Sequence, residues 1–183
     1  MDAEDMLKRI AYGIAVVLVS PLAGCELLAR RLMGRDVWFL THGEALSLLP
    51  GKIGYFIRNA YYFLTLRRCG LDCQLSFGTY FTHSEAEIGN GVYLGTRCLI
   101  GIASIGDNAL LGDHVQILSG GRQHLPTSST DLPQAEAPRF SRVSVGKNSW
   151  IGAGAIVMAD VGEDGIVGAG SMGTDSGSFG CCR

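Results

Sequence analysis

Four side chains in this sequence can take up and return a proton near neutral pH: the imidazoles of His42, His83, His114 and His124. Their settings differ. His124 stands in a stretch, residues 119–142, that holds three of the five prolines (Pro126, Pro133, Pro138) with Arg122, Gln123, Asp131, Glu136 and Arg139. A long irregular segment inside an otherwise regular chain is more often functional than decorative. An imidazole there, just past the edge of a regular element, is suited to accept a proton as a general base. His83 lies in a less regular stretch and is the second candidate. His114 falls in the middle of a repeat unit, where a solvated turn residue is expected. His42 has no motif around it.

The six cysteines, Cys25, Cys69, Cys73, Cys98, Cys181 and Cys182, form no CxxC and complete no zinc spacing. Free thiols in a reducing compartment are therefore expected, without structural disulfides. Cys98 is expected to be a small core residue. A centre of three histidines is disfavoured because His114 and His124 stand ten residues apart, so no metal is expected.

The element that must position these groups runs from residue 88 to 172, where an aliphatic residue returns every sixth place, often followed by glycine. Ile88-Gly89, Leu94-Gly95 and Ile100-Gly101 step by six. After a slip of one, Ile105-Gly106, Leu111-Gly112 and Ile117 do so again. Beyond the proline-rich interruption come Val145-Gly146, Ile151-Gly152 and Val157, then Val161-Gly162 and Val167-Gly168. A period of six is neither helical nor a coiled-coil heptad; it is the hexapeptide signature of a parallel β-helix. One hexad makes one short strand and one corner, and three make a triangular coil. The aliphatic residue points inward, and Ala109, Val115, Ser149, Ala155 and Ser171 are small enough for the tight corner. A single hexad cannot bury its apolar face, so the motif has meaning only as a stack. Residues 71–87 have strand character (Phe77, Thr79, Tyr80, Phe81) with a blurred register, and read as an irregular first coil.

Composition agrees with a folded domain plus an appendage: 183 residues, 47% hydrophobic, 26 glycines and 17% charged. The net charge of −2 divides into +3 for residues 1–70 and −5 for residues 71–183. The folded part thus lacks the concentrated basic patch that nucleic acid would ask for, and no nucleic-acid partner is expected. A mildly basic, apolar amino-terminal part suits a membrane surface. There, Lys8-Arg9 precede an apolar run, residues 10–25, broken by Ser20-Pro21. It is slightly short of the roughly 20 residues a spanning helix needs, so an interfacial or re-entrant anchor competes with a span. The run also has the outline of a signal peptide, and Leu22-Ala23-Gly24-Cys25 resembles a lipoprotein cleavage box. A second apolar stretch, residues 46–66, is split by Pro50-Gly51. From Ile53 its apolar residues recur at helical spacing beside Lys52, Arg58, Arg67 and Arg68. It reads as a cap across the open end of the β-helix, as a basic amphipathic helix on an anionic leaflet, or as both on different faces.

With the hexads, the loop histidine and Asn148-Ser149-Trp150-Ile151-Gly152-Ala153-Gly154-Ala155, the chain resembles the left-handed β-helix acyltransferases. These include the galactoside, maltose, nodulation and xenobiotic O-acetyltransferases. The likeness extends to the branch acting on capsule, lipopolysaccharide or exopolysaccharide sugars, through Leu46-Ser47-Leu48-Leu49-Pro50-Gly51 and Arg67-Arg68-Cys69-Gly70. The resemblance implies a mainly β, left-handed parallel β-helix (residues 71–172, with loop 119–142 inserted). It follows a helical, membrane-associating segment (1–70) and precedes an atypical tail (173–183). It also implies a homotrimer with sites between subunits, acetyl-CoA as donor and a saccharide hydroxyl, lipid-linked in one version, as acceptor. The place of action is cytoplasmic, at the inner face of the membrane. His124 matches the family's catalytic base, with Asp131 or Glu136 to orient it. Trp150 matches the tryptophan near the acetyl end, Ala153 and Ala169 the positions whose backbone meets the pantetheine arm, and Thr174 keeps the family's threonine. The tail departs from the pattern, because Asp175 puts an acid where the family has a base near the coenzyme A phosphates. The tail and the Leu22–Cys25 box favour the competing expectation of a non-catalytic β-helix or a lipid-anchored structural module.

Overall fold

The computed structural model describes residues 3–33, 36, 38–70, 72–120 and 140–173. Three helices come first: α1 (Ala3–Met33), α2 (Phe39–Ser47) and α3 (Gly51–Thr65). The chain then turns into short strands taken three to a coil. The first coil is β1 (Arg68–Cys69), β2 (Gln74–Leu75) and β3 (Tyr80–Phe81). The second is β4 (Glu87–Ile88), β5 (Tyr93–Leu94) and β6 (Leu99–Ile100), and the third β7 (Ala103–Ile105), β8 (Leu110–Leu111) and β9 (Gln116–Ile117). The fourth is β10 (Val143–Val145), β11 (Trp150–Ile151) and β12 (Ile156–Val157). A single bridge from Val161 to Val145 then leads into β13 (Ile166–Val167) and β14 (Met172–Gly173).

Each coil gives one strand to each of three parallel sheets. Sheet A is β1-β4-β7-β10, sheet B is β2-β5-β8-β11-β13 and sheet C is β3-β6-β9-β12-β14. This arrangement is consistent with the parallel β-helix the hexads predict. The register explains both the regular and the blurred parts of the sequence. Tyr93 lies opposite Leu110, seventeen residues on, and Trp150 opposite Ile166, sixteen on, so these coils are close to three hexads. Gln74 lies opposite Tyr93, nineteen on, and those extra residues displace the hexad spacing of the first coil. Leu110 lies opposite Trp150, forty on, because the third coil carries the insertion.

The inner face is the aliphatic ladder. Ile88, Leu94, Ile100, Ile105, Leu111, Ile117, Val145, Ile151, Val157, Val161 and Val167 are all buried. Each large side chain so withdrawn from water contributes about 1.5–3 kcal/mol. Two places before the aliphatic residue sits a small one: Val92, Cys98, Ala109, Val115, Ser149 and Ala155 are buried as well. Cys98 is a core residue as expected, and its thiol donates to the Gly112 carbonyl at 3.2 Å. The corners between sheets B and C stack Gly78, Arg97, His114, Gly154 and Gly170, all with positive φ. His114 is thus a turn residue held in a left-handed conformation and exposed to solvent. At Gly152 the neighbouring coil comes so close that a Cβ would run into the backbone nitrogen of Ala169.

The helices close the first coil. Pro50, extended at φ −81° and ψ 163°, caps the start of α3 and separates it from α2. Gly54 admits no side chain there, since a Cβ would strike the Leu49 carbonyl. Arg58, buried, turns away from any leaflet and donates to the carbonyls of Leu49 at 2.7 Å, Leu46 at 3.3 Å and Leu75 at 3.3 Å. Asn59 donates to the Cys73 carbonyl at 2.7 Å, and the Phe81 N–H donates to the Tyr62 hydroxyl at 3.3 Å. Of the two readings of this stretch, the structure realises the cap: α3 pairs the polar groups of an edge that would otherwise be open. Helix α1 runs without interruption through Pro21. The Val17 carbonyl that proline leaves unpaired receives the Ser20 hydroxyl at 2.8 Å. Over Met6–Met33 this helix is long and apolar enough to cross a membrane.

Candidate functional site

The insertion leaves from the corner between sheets C and A. Its neck is closed by backbone: Gly120, at φ +83°, donates to the Leu118 carbonyl at 2.8 Å, and Ser141 donates to the Ser119 carbonyl at 3.0 Å. The Ser119 hydroxyl accepts the Ile102 N–H of the coil below at 2.8 Å, and the Val143 N–H returns to the Ile102 carbonyl at 3.0 Å. Both stems are therefore anchored on a rigid coil. His124, Asp131 and Glu136 fall in sequence between them and Thr174 follows β14; all four lie outside the described residues.

The returning stem reaches further down the same corner. The Phe140 ring meets the His83 ring edge-on, centroids 4.9 Å apart. Arg142 donates to the Glu85 carbonyl at 3.0 Å and the Ala103 carbonyl at 3.4 Å. The second candidate histidine thus lies at the foot of the loop that carries the first. His83 is half-buried, with Nδ1 2.8 Å from the Thr82 hydroxyl, which in turn donates to the Ile100 carbonyl at 3.4 Å. Neither Thr82 nor Phe140 stood out in the sequence. Thr82 at least adjoins a histidine, whereas Phe140 carries no local signal of a contact 57 positions back.

The other expected site residues occupy a different side of the triangle. Trp150 lies on the outer face of sheet B, 53% exposed, in register with Leu110 on one side and Ile166 on the other. Ala153 and Ala169 are brought together as successive exposed steps of the corner between sheets B and C; the Gly170 N–H donates to the Ala153 carbonyl at 2.9 Å. Within one chain, the strands of sheet C separate that corner from the neck of the loop. Trp150 continues an exposed apolar ladder, Tyr93, Leu110, Trp150 and Ile166, directly paired from coil to coil.

Sheet A is polar outside. A shallow groove of about 430 Å³ crosses it, with Arg68, Glu87, Ser104, Ser144, Lys147 and Glu163 in its lining. Of the expected site residues that are described, Trp150, Ala153 and Ala169, none lines it. Of its charges, Lys147 pairs with Glu163 at 3.1 Å, and Glu87 pairs with Arg67 at 3.2 Å and Arg142 at 3.5 Å from outside the lining. Among the described residues, no three His, Cys, Asp or Glu side chains converge as a metal site would require.

The corners also fix electrostatics. The Asp113 carboxylate accepts the Thr96 N–H at 2.6 Å, and these hydrogen bonds to Thr96 hold its pKa below the ordinary carboxylate value. Under the helical cap, the neighbouring Cys73 thiol and burial hold Cys69 well above the usual thiol range, and its Sγ donates to the Gly70 carbonyl at 3.6 Å.

The chain is similar to Nodulation protein L of Rhizobium leguminosarum bv. viciae, with 36% identity over 78 residues. The match covers 41% of this chain and 39% of that protein, so the chain spans well under half the length of the curated relative. No protein-family model and no solved structure matches the chain.

Proposed function

We propose that this chain is an acyltransferase that moves the acetyl group of acetyl-CoA to a hydroxyl of a saccharide, a precursor of capsule, lipopolysaccharide or exopolysaccharide. The observation that carries the reading is the loop. One long insertion leaves a stack of hexad coils at a fixed corner, its neck closed by backbone hydrogen bonds, and it contains His124. The similarity to Nodulation protein L adds support, since nodulation acetyltransferases are among the enzymes that the hexads and the Trp150 segment resemble.

In this reading the β-helix is left-handed and acts as a homotrimer. Two features support assembly. The ladder of Tyr93, Leu110, Trp150 and Ile166 is an apolar face of the kind that subunits bury. The positions for acetyl-CoA (Trp150, Ala153, Ala169 and Thr174) begin on sheet B and its corner, away from the neck of the loop. A neighbouring copy can bring its loop to them.

His124 removes the proton from the acceptor hydroxyl as that oxygen attacks the thioester carbonyl. The new C–O bond forms, and the resulting oxyanion is held by backbone N–H groups at a coil corner. The C–S bond then breaks, and the coenzyme A thiolate leaves with the proton that His124 returns. No acyl-enzyme is needed, because holding both substrates side by side supplies much of the rate.

The test is thiol release from acetyl-CoA with a saccharide mixture, comparing the parent with His124→Ala. Removing a general base is expected to lower turnover about 100-fold or more. Turnover that survives His124→Ala at the parental rate would refute the assignment.

A further inference from the structure

Helix α1 has two unlike faces, and among the described residues the outer one packs against no other element. Its inner face is docked. Ala15, Val19 and Ala23 are buried, and Tyr12 donates to the Asn59 carbonyl at 3.4 Å while its ring meets Phe63 edge-on. Glu26 is fully buried and pairs with Arg30 at 3.4 Å; Arg30 also donates to the Thr65 carbonyl at 3.3 Å. The outer face is a stripe at helical spacing: Leu7, Ile10, Ile14, Val17, Leu18, Leu28 and Leu32 are each more than half exposed. The patch continues onto α3 through Ile53 and Phe63.

Charge says what covers this stripe. Helix α1 holds three carboxylates: Glu4 and Asp5 in its first turn, and Glu26, which is buried on the inner face. The exposed charges beside the stripe include Arg9 and Arg31, with Lys52 on α3, all cationic. From Met6 on, an apolar stripe bordered by cations, with no exposed carboxylate in the rest of α1, fits an anionic lipid surface. The inner contacts exclude an upright span. With its inner face fixed to α3, an upright α1 would carry α3 and the first coil into hydrocarbon, with Arg58, Arg67, Arg68 and Asp72.

We propose that α1 lies flat in one leaflet of an anionic bilayer, its outer stripe among the acyl chains and its inner face on α3. The position of the corner between sheets C and A follows. Arg30 pairs with Asp36 at 2.8 Å, and Asp36 accepts from the Ser84 hydroxyl at 2.6 Å and the Ser84 N–H at 3.1 Å, next to His83. The carboxyl end of α1 is thereby tied to the corner from which the loop leaves, and that corner faces the bilayer surface. Its acceptor is then a saccharide carried on a lipid; this last step rests on the acetyl-transfer reading, whereas the placement of α1 does not.

The experiment is a depth scan on the full chain, without acetyl-CoA. An environment-sensitive fluorophore is placed on the exposed Cys25, or on Leu7→Cys, Leu18→Cys or Leu32→Cys with Cys25→Ser. Cys181→Ser and Cys182→Ser are present throughout. The vesicles are phosphatidylcholine with and without phosphatidylglycerol, carrying nitroxide quenchers at the headgroup or in mid-chain. A flat helix gives the same shallow depth at all four positions, with binding that strengthens as phosphatidylglycerol is added. A label at Lys147→Cys stays unquenched. Val17→Asp with Leu18→Asp, on the outer face, should weaken partitioning roughly tenfold or more while leaving the thermal melt of the coils in place. A graded profile with Leu18 deepest would mean a span and overturn the proposal. Unquenched labels that crosslink between copies at Leu18→Cys would mean that a second copy covers the stripe, and would overturn it equally. Thiol release with a soluble saccharide, run on the same samples, reports separately on acetyl transfer.

Discussion

Asp113 stands at the head of a corner and accepts the Thr96 N–H of the preceding coil at 2.6 Å. Its pKa in the folded chain is lowered by that bond, so the carboxylate form is what the fold stabilises. The contribution is present above the unfolded pKa of about 4 and is lost as pH falls through the lower folded value. Asp113→Asn should therefore lower the melting temperature by a constant amount between about pH 5 and 8, with the gap to the parent closing below about pH 4. Thermal melts of both proteins across that range check this; a gap that widens in acid would contradict it. His83 shows what residue types alone conceal. The sequence marks it as a candidate, but its surroundings are the Thr82 hydroxyl 2.8 Å from Nδ1 and the Phe140 ring meeting its own ring edge-on. The hydrogen bond is between neighbours and the ring contact is not, so only the first had any trace in the sequence.

The elements were legible where one interaction repeats. The aliphatic residue of each hexad has the same task in every coil, so a period of six survives in Ile88, Leu94, Ile100 and their successors. It fails in the first coil, whose nineteen-residue step moves Gln74 and Tyr80 out of the later spacing. It also fails at the cap, where the sequence of α3 reads equally as a surface helix. What decides between them is the unpaired edge beneath it, and Arg58 meets that edge with its guanidinium. Arg58→Met keeps much of the bulk and removes the guanidinium from the carbonyls of Leu46, Leu49 and Leu75. It should cost about 3 kcal/mol or more in chemical denaturation. A loss under about 1 kcal/mol would show that water or neighbouring groups pair those carbonyls instead. In α1 the sequence shows an apolar run and a proline. It does not show that the helix continues through Pro21 or that Glu26 lies on the docked face, because both depend on packing against α3 and on the Ser20 hydroxyl.

The whole molecule has three sides with different characters. Sheet A is polar, with Glu87 paired to Arg67 and, at its edge, Lys147 to Glu163. Sheet B carries the ladder of Tyr93, Leu110, Trp150 and Ile166, and the far end of the stack is closed by α2 and α3 under the striped helix α1. Each rung of the ladder was present in the sequence as the residue before an inward aliphatic. Its alignment into one exposed face was not, since that needs the coil lengths and the size of the insertion. If this face joins copies of the chain, Leu110→Asp should convert a trimer to monomers in analytical ultracentrifugation without changing the circular dichroism of the coils. A parent protein that sediments as a monomer would contradict the assembly. The expected acetyl-CoA positions and the neck of the loop lie on different sides of one chain, so loss of the trimer should also abolish turnover.

Calorimetric titration of the parent and of His124→Ala with acetyl-CoA, followed by thiol release from each with a saccharide mixture, bears most directly on acetyl transfer through His124. The expected result is similar acetyl-CoA affinity for both proteins, with release by the parent alone. If neither protein binds acetyl-CoA at millimolar concentration, or if His124→Ala releases thiol as fast as the parent, the chain does not act by the chemistry proposed for it.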